Sequence, residues 1–106
     1  MNILFVCSRN KWRSRTAETI FKDQQLHQVR SAGTSSDARI KVNEKLITWA
    51  DLIFVMEKRH KQMLQEKFNE ALSKKAIIVL NIEDNYQYMD EELIETLRAS
   101  VGPYLE

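Results

Sequence analysis

An α/β domain built on an open four-stranded parallel sheet, with helices on both faces, is the fold this sequence predicts. Two observations carry it. Short, continuous apolar runs alternate along the chain with segments whose apolar residues recur at helical spacing. The apolar runs are unbroken rather than alternating, as in strands buried on both faces, which favours parallel pairing and right-handed crossovers. The 106 residues suit one domain spanning 1–106. With 43% hydrophobic residues, a core forms without a disulfide or a metal.

The elements follow in order. Ile3–Cys7 (ILFVC) is the first buried strand, ending where charge begins. From Ser14, a candidate N-cap, Ala17, Ile20 and Phe21 fall on one helical face. The stretch HQVRSAGT reads as a second strand turning at Gly33, and Ile40, Leu46, Ile47 and Trp49 mark a short helical stretch. Asp51–Met56 (DLIFVM) is the third strand. A helix carrying His60, Met63, Leu64, Phe68 and Leu72 follows it, and Ala76–Ile82 (AIIVLNI) is the fourth strand. Leu93, Ile94, Leu97 and Val101 define the last helix, with Asp90 as its N-cap and Gly102-Pro103 at its end.

Ligands of such sheets bind outside the carboxyl ends of the strands. Four segments emerge there: Cys7–Arg13, Gly33-Thr34, Met56-Glu57 and Glu83–Met89. The first is chemically unusual. Arg9, Lys11, Arg13 and Arg15 crowd around Cys7, the only cysteine, in a chain of formal net charge +1. A tight turn into a helix N-terminus aims backbone N–H groups inward and adds the positive end of the helix dipole, which suits a phosphate-sized anion. Arginine adds planar, bidentate oxygen binding. The same positive surroundings favour thiolate over thiol, so one geometry prepares a nucleophile and receives the anion it attacks.

Cys7 and Arg13 form a C-x5-R pair followed by Ser14, and Ser31-Ala32-Gly33-Thr34 follows later. With Asn10 these residues resemble the low-molecular-weight protein tyrosine phosphatases, whose first strand leads into C-x-G-N-x-C-R-S-P. ADLIFVMEKRH (Ala50–His60) is similar to the family's third strand and next helix. EDNY (Glu83–Tyr86) is similar to its Asp-Pro-Tyr loop. The resemblance covers nearly the whole chain and implies a phosphatase loop after the first strand. Its implied roles are Cys7 as nucleophile and phosphocysteine carrier, Arg13 as phosphate ligand and Ser14 as hydrogen-bond donor to the thiolate. Asn10 would brace the loop, and Asp84, rather than Glu83 or Asp90, would be the general acid. Ser8, Arg9, Asn10, Lys11, Trp12, Arg13 and Ser14 would bind phosphate, and Trp12 and Tyr86 would line the substrate cleft. No metal or cofactor is implied. Expected partners are a phosphorylated protein or small phosphomonoester and inorganic phosphate or another oxyanion, in the cytoplasm, with neither membrane nor nucleic acid.

Three residues of the first loop depart from the family pattern: Arg9 replaces glycine, Trp12 the second cysteine and Arg15 proline; Asn85 stands where the Asp-Pro-Tyr loop has proline. Trp12 leaves Cys7 without a disulfide partner in the chain and has two readings, covering the first helix or walling the entrance. Arg9 leaves open a non-catalytic phosphate-binding module. Arsenate reductase and a phosphocysteine carrier are further alternatives, the first opposed by the lack of a second cysteine and the second by Arg13. His27 and His60 are read as surface or helix residues.

Overall fold

The computed structural model describes residues 1–23 and 26–105. Its elements run β1 (Asn2–Cys7), α1 (Arg13–Phe21), β2 (Gln28–Gly33), α2 (Glu44–Trp49), β3 (Leu52–Val55), α3 (Lys58–Leu72), β4 (Ala76–Val79) and α4 (Glu91–Val101), closed by a 3-10 turn at Gly102–Tyr104. All strand pairs are parallel and the sheet order is β2-β1-β3-β4. This is the expected architecture. β1 is central, so Cys7 ends a strand with a neighbour on each side.

The two faces of the sheet carry separate apolar layers. Ile3, Phe5, Phe54, Ala17, Phe21, Leu93, Leu97 and Val101 pack on the α1/α4 side. Leu4, Val6, Ile53, Val55, Ile47, Leu64 and Leu72 pack on the α2/α3 side. Alternate residues of each strand therefore serve opposite layers, which is why the apolar runs are unbroken. Phe5 anchors the first layer, stacking on Phe54 at 5.2 Å and Phe21 at 5.8 Å.

Three boundaries differ from the sequence reading. Helix α1 begins at Arg13, and Ser14 is buried inside it rather than capping it, because its hydroxyl is taken by Cys7 and Asn10. β4 ends at Val79 and is an only half-buried edge strand. Ile40 lies exposed outside α2. Asp90 does cap α4, accepting from the Glu92 and Leu93 amides.

Helix α3 opens with a capping box in which Glu57 is the N-cap and His60 takes the third position. His60 Nδ1 accepts the Glu57 amide hydrogen at 3.1 Å. The ring is fully buried, so of its two readings, surface or helix residue, the helix one holds. A neutral imidazole supplies the acceptor that glutamate or glutamine usually provides.

Gly33 ends β2 where the loop after β1 crosses it. A Cβ there would overlap the Ser8 carbonyl oxygen and lie 2.8 Å from Ala38 Cβ and 3.0 Å from the Arg9 carbonyl carbon. Two of these obstacles are backbone, so the substitution cannot be absorbed by a side-chain rotation. Gly33→Ala should cost about 3 kcal/mol, at the upper end of overpacking penalties. Thermal unfolding should shift down by roughly 10–20 °C, and an unchanged midpoint would refute the close approach.

The His60 pKa is lowered from 6.5 to about 4, first by burial, then by Arg13 and Arg59, against the opposing pull of Glu57 and Asp84. Between those values the unfolded chain binds a proton that the folded chain excludes. Stability should therefore fall as pH drops from 6.5 to 4 and flatten below, by on the order of 3 kcal/mol. Urea midpoints across this window should slope for the natural chain and lose most of that slope in His60→Gln.

Candidate active site

Cys7 ends β1 and Arg13 begins α1, so five residues turn the chain between them. Their conformation is set from outside. Thr34 N–H donates to the Cys7 carbonyl at 2.9 Å, Ser35 N–H to Ser8 at 2.8 Å, and Arg39 N–H to Arg9 at 2.9 Å. Arg39 Nε donates to the Asn10 carbonyl at 3.1 Å. In a trans peptide the carbonyl and the following N–H point in opposite directions. Four carbonyls drawn toward residues 34–39 therefore turn the amides of Ser8, Arg9, Asn10 and Lys11 the other way, as a nest for an anion. The Asn10 amide demonstrates the direction, donating to Cys7 Sγ at 3.3 Å.

Asn10 carries the one left-handed conformation in this turn, at φ 57°; Arg9 is not among the described residues with positive φ. Asparagine tolerates this region better than most residues. Its side-chain Nδ2 donates to Ser14 Oγ at 2.7 Å, and Ser14 Oγ lies 2.9 Å from Cys7 Sγ. With the asparagine donor occupying a Ser14 lone pair, the one serine proton has two acceptors in reach, the Ala32 carbonyl at 3.3 Å and Cys7 Sγ at the shorter 2.9 Å. A thiolate at Sγ would draw that proton to itself beside the Asn10 amide.

A concavity of about 110 Å³ opens over Cys7, lined by Ser8, Arg9, Lys11, Trp12, Arg13 and Asp84. It is far smaller than a typical small-molecule cleft and suits a phosphoryl group. Arg13 is only 2% exposed. Its Nη1 donates to Glu57 Oε2 at 2.6 Å and to the Ile82 carbonyl at 2.8 Å, while Nε lies 3.6 Å from Asp84 Oδ1. The guanidinium is thus aimed from behind by β3 and β4 ends. Arg59 and Arg13 hold the Glu57 carboxyl down at about 2 from 4.5. Its stabilising contribution is complete above pH 4.5 and is lost progressively as pH falls from there through about 2.

The structure gathers Cys7, Ser8, Arg9, Lys11, Trp12, Arg13 and Asp84 around one space. Asn10 and Ser14 do not line it; both are buried and reach it through Cys7. Trp12 is 42% exposed and walls the concavity, the second of its two readings. Tyr86 is not part of this lining: its ring packs against the α1/α4 layer and its hydroxyl donates to Glu92 Oε1 at 3.4 Å. Tyr88 lies against α1, its hydroxyl 2.9 Å from Thr19 Oγ1 and its ring under Arg15 at 4.6 Å. Glu83 is turned to Asn85 Nδ2 at 3.0 Å, leaving Asp84 as the loop carboxylate at the concavity.

Glu57, Arg59 and His60 were not singled out as site residues by the sequence reading. Glu57 was placed at the correct sheet edge. The available signal was a glutamate at a strand end with a polar residue three positions later, the spacing of a capping box.

A family model described as low molecular weight phosphotyrosine protein phosphatase matches residues 2–48. No curated protein matches the chain. Among solved structures, a YwlE mutant from Bacillus subtilis is 25% identical, aligned over 100% of this chain and 99% of its own, with a TM-score of 0.72. The YwlE arginine phosphatase from Geobacillus stearothermophilus is also 25% identical, over 96% of this chain and 84% of its own, with a TM-score of 0.63. A protein tyrosine phosphatase from Entamoeba histolytica, 20% identical over 99% and 93%, shares the fold with a TM-score of 0.78. The profile match covers the loop and β2, and the fold is shared along the whole chain, so the protein is similar to the low molecular weight phosphotyrosine protein phosphatases.

Proposed function

We propose that the protein is a metal-independent phosphomonoesterase that hydrolyses phosphotyrosine in proteins through a phosphocysteine intermediate. The observation that carries this reading is the convergence of Cys7, Arg13 and Asp84 on one small concavity. The phosphoryl group sits on the turned amides and Arg13. Cys7 Sγ attacks phosphorus, an S–P bond forms, and the P–O ester bond breaks as Asp84 gives its proton to the departing oxygen. Water then attacks phosphorus while Asp84 takes its proton. The S–P bond breaks, phosphate leaves, and the thiolate re-forms with donors from Ser14 and Asn10.

The rival of a non-catalytic phosphate-binding module rested on Arg9. Its side chain is 63% exposed, 3.9 Å from Asp37 Oδ2, and its backbone is not left-handed. Arg9 therefore adds charge at the rim without distorting the turn, which favours turnover. A free thiol as nucleophile suits the reducing cytoplasm.

The rim also favours phosphotyrosine over phosphoarginine. Trp12 offers an aromatic wall to a phenyl ring. Arg9 and Lys11, lining the same space, repel a cationic guanidinium leaving group.

Para-nitrophenyl phosphate hydrolysis in EDTA tests the chemistry. Cys7→Ser should abolish turnover and Asp84→Asn should lower kcat by roughly 10²–10⁴. Turnover that survives Cys7→Ser or requires a divalent metal would overturn the mechanism. Side by side, a phosphotyrosine peptide should show the higher kcat/KM than a phosphoarginine peptide, and the reverse order would overturn the substrate assignment. Glu57→Gln should raise KM with the fold retained, because Arg13 loses its charged anchor.

A further inference from the structure

We propose that the Ser8 hydroxyl donates a hydrogen bond to the bound phosphoryl group and that His60 orients it to do so. This rests on the phosphoryl-binding reading of the concavity and adds a side-chain ligand to it.

The direction of the Ser8 proton follows from its neighbours. The Glu57 amide donates to His60 Nδ1, which accepts only when unprotonated. The neutral ring then carries its hydrogen on Nε2, and Nε2 lies 2.9 Å from Ser8 Oγ. His60 is therefore the donor in that pair. Arg59 Nη2, which has only donors, reaches the same oxygen at 3.0 Å. A hydroxyl has two acceptor lone pairs and one proton. Both acceptor positions of Ser8 are filled from α3, so its proton points away from α3. Ser8 lines the concavity beside Cys7 and Arg13, where a phosphoryl oxygen is the natural acceptor.

The surroundings keep His60 in this role. Its burial, with Arg13 and Arg59 outweighing Glu57 and Asp84, keeps the ring neutral through the range in which a phosphatase operates. A proton on Nδ1 would face the Glu57 N–H and break the helix cap. Glu57 links the two ligand arms, since one oxygen, Oε2, receives both Arg13 Nη1 and Arg59 Nη2. Ser8 is thus a substrate-binding residue, and His60 is a positioning residue acting through it.

The test measures inorganic phosphate binding by calorimetry at pH 6, with thermal unfolding of each variant as a fold control. Ser8→Ala should weaken phosphate by roughly 10- to 100-fold, the usual loss of a hydrogen bond to a charged group. Ser8→Thr should restore most of that affinity. His60→Gln offers an acceptor to Glu57 N–H and a donor to Ser8, so it should stay near the natural chain. His60→Glu keeps the cap acceptor but draws the Ser8 proton back toward α3, and it should weaken phosphate strongly. In a Ser8→Ala background the gap between the Gln and Glu variants should shrink to the contribution of the added charge. A Ser8→Ala protein that binds phosphate as tightly as the natural chain, or an undiminished gap, would overturn the proposal. If the natural chain binds and hydrolyses while Ser8→Ala is unaffected, only this inference falls. If the natural chain binds no phosphate, the phosphoryl reading falls with it.

Discussion

The close approach of the loop after β1 to the start of the 34–39 segment is the constraint on which the site depends. An anion nest needs several successive N–H groups aimed at one point, and a free turn does not hold them there. Here the loop carbonyls are captured on the opposite side by the amides of Thr34, Ser35 and Arg39 and by Arg39 Nε. That capture requires β2 to end without a side chain, because any Cβ at Gly33 would occupy the space of the Ser8 carbonyl. Packing thus fixes the electrostatics: a missing methyl lets two backbones meet, and their hydrogen bonds turn the peptide dipoles inward.

A second layer of order lies beneath the charged residues. Arg13 is nearly inaccessible, and a buried guanidinium without partners would be costly. Glu57 and the Ile82 carbonyl meet that need and at the same time decide where the guanidinium points. The Glu57 backbone and side chain also start α3, whose third residue reaches Ser8. One residue therefore couples the stability of a helix start to the orientation of two groups that face the concavity. The wide separation of Glu57 from its ordinary pKa reflects this double cationic contact.

Much of this was legible in the sequence, and the reasons for the remainder are physical. The β/α alternation follows from patterning, and patterning is local. The position of Cys7 at a strand end, Arg13 at a helix start and Asp84 after β4 follows once the sheet is taken as parallel. Asn10 in the left-handed region follows from residue type. What was missed depends on side-chain direction. Ser14 looks like a helix cap until its hydroxyl is seen facing inward to Sγ. His60 looks like one more residue on a helix face until its ring is found sealed between Glu57 and Ser8. Of the two aromatic residues expected at the cleft, Trp12 is there and Tyr86 is not, because the loop after β4 leans on the α1/α4 layer whereas the tip of the β1 loop projects to solvent.

Arg9 shows how these layers divide a loop's requirements. Glycine serves such turns for positive φ or for close backbone approach. In this chain Asn10 takes the positive φ, and Gly33 provides the clearance from the opposite strand. Position 9 is left with neither task, and its side chain projects outward to Asp37. A residue that looks disqualifying in a motif is therefore compatible with the geometry the motif encodes. The substitution acts on the rim instead. It joins Lys11 in giving the mouth a positive character that the buried Arg13, already paired with Glu57, does not supply alone. In the proposed phosphatase reaction, selectivity among phosphorylated side chains would then be set at the mouth, where charge and the Trp12 ring meet the leaving group, while the floor of the site keeps the geometry that a phosphoryl group requires.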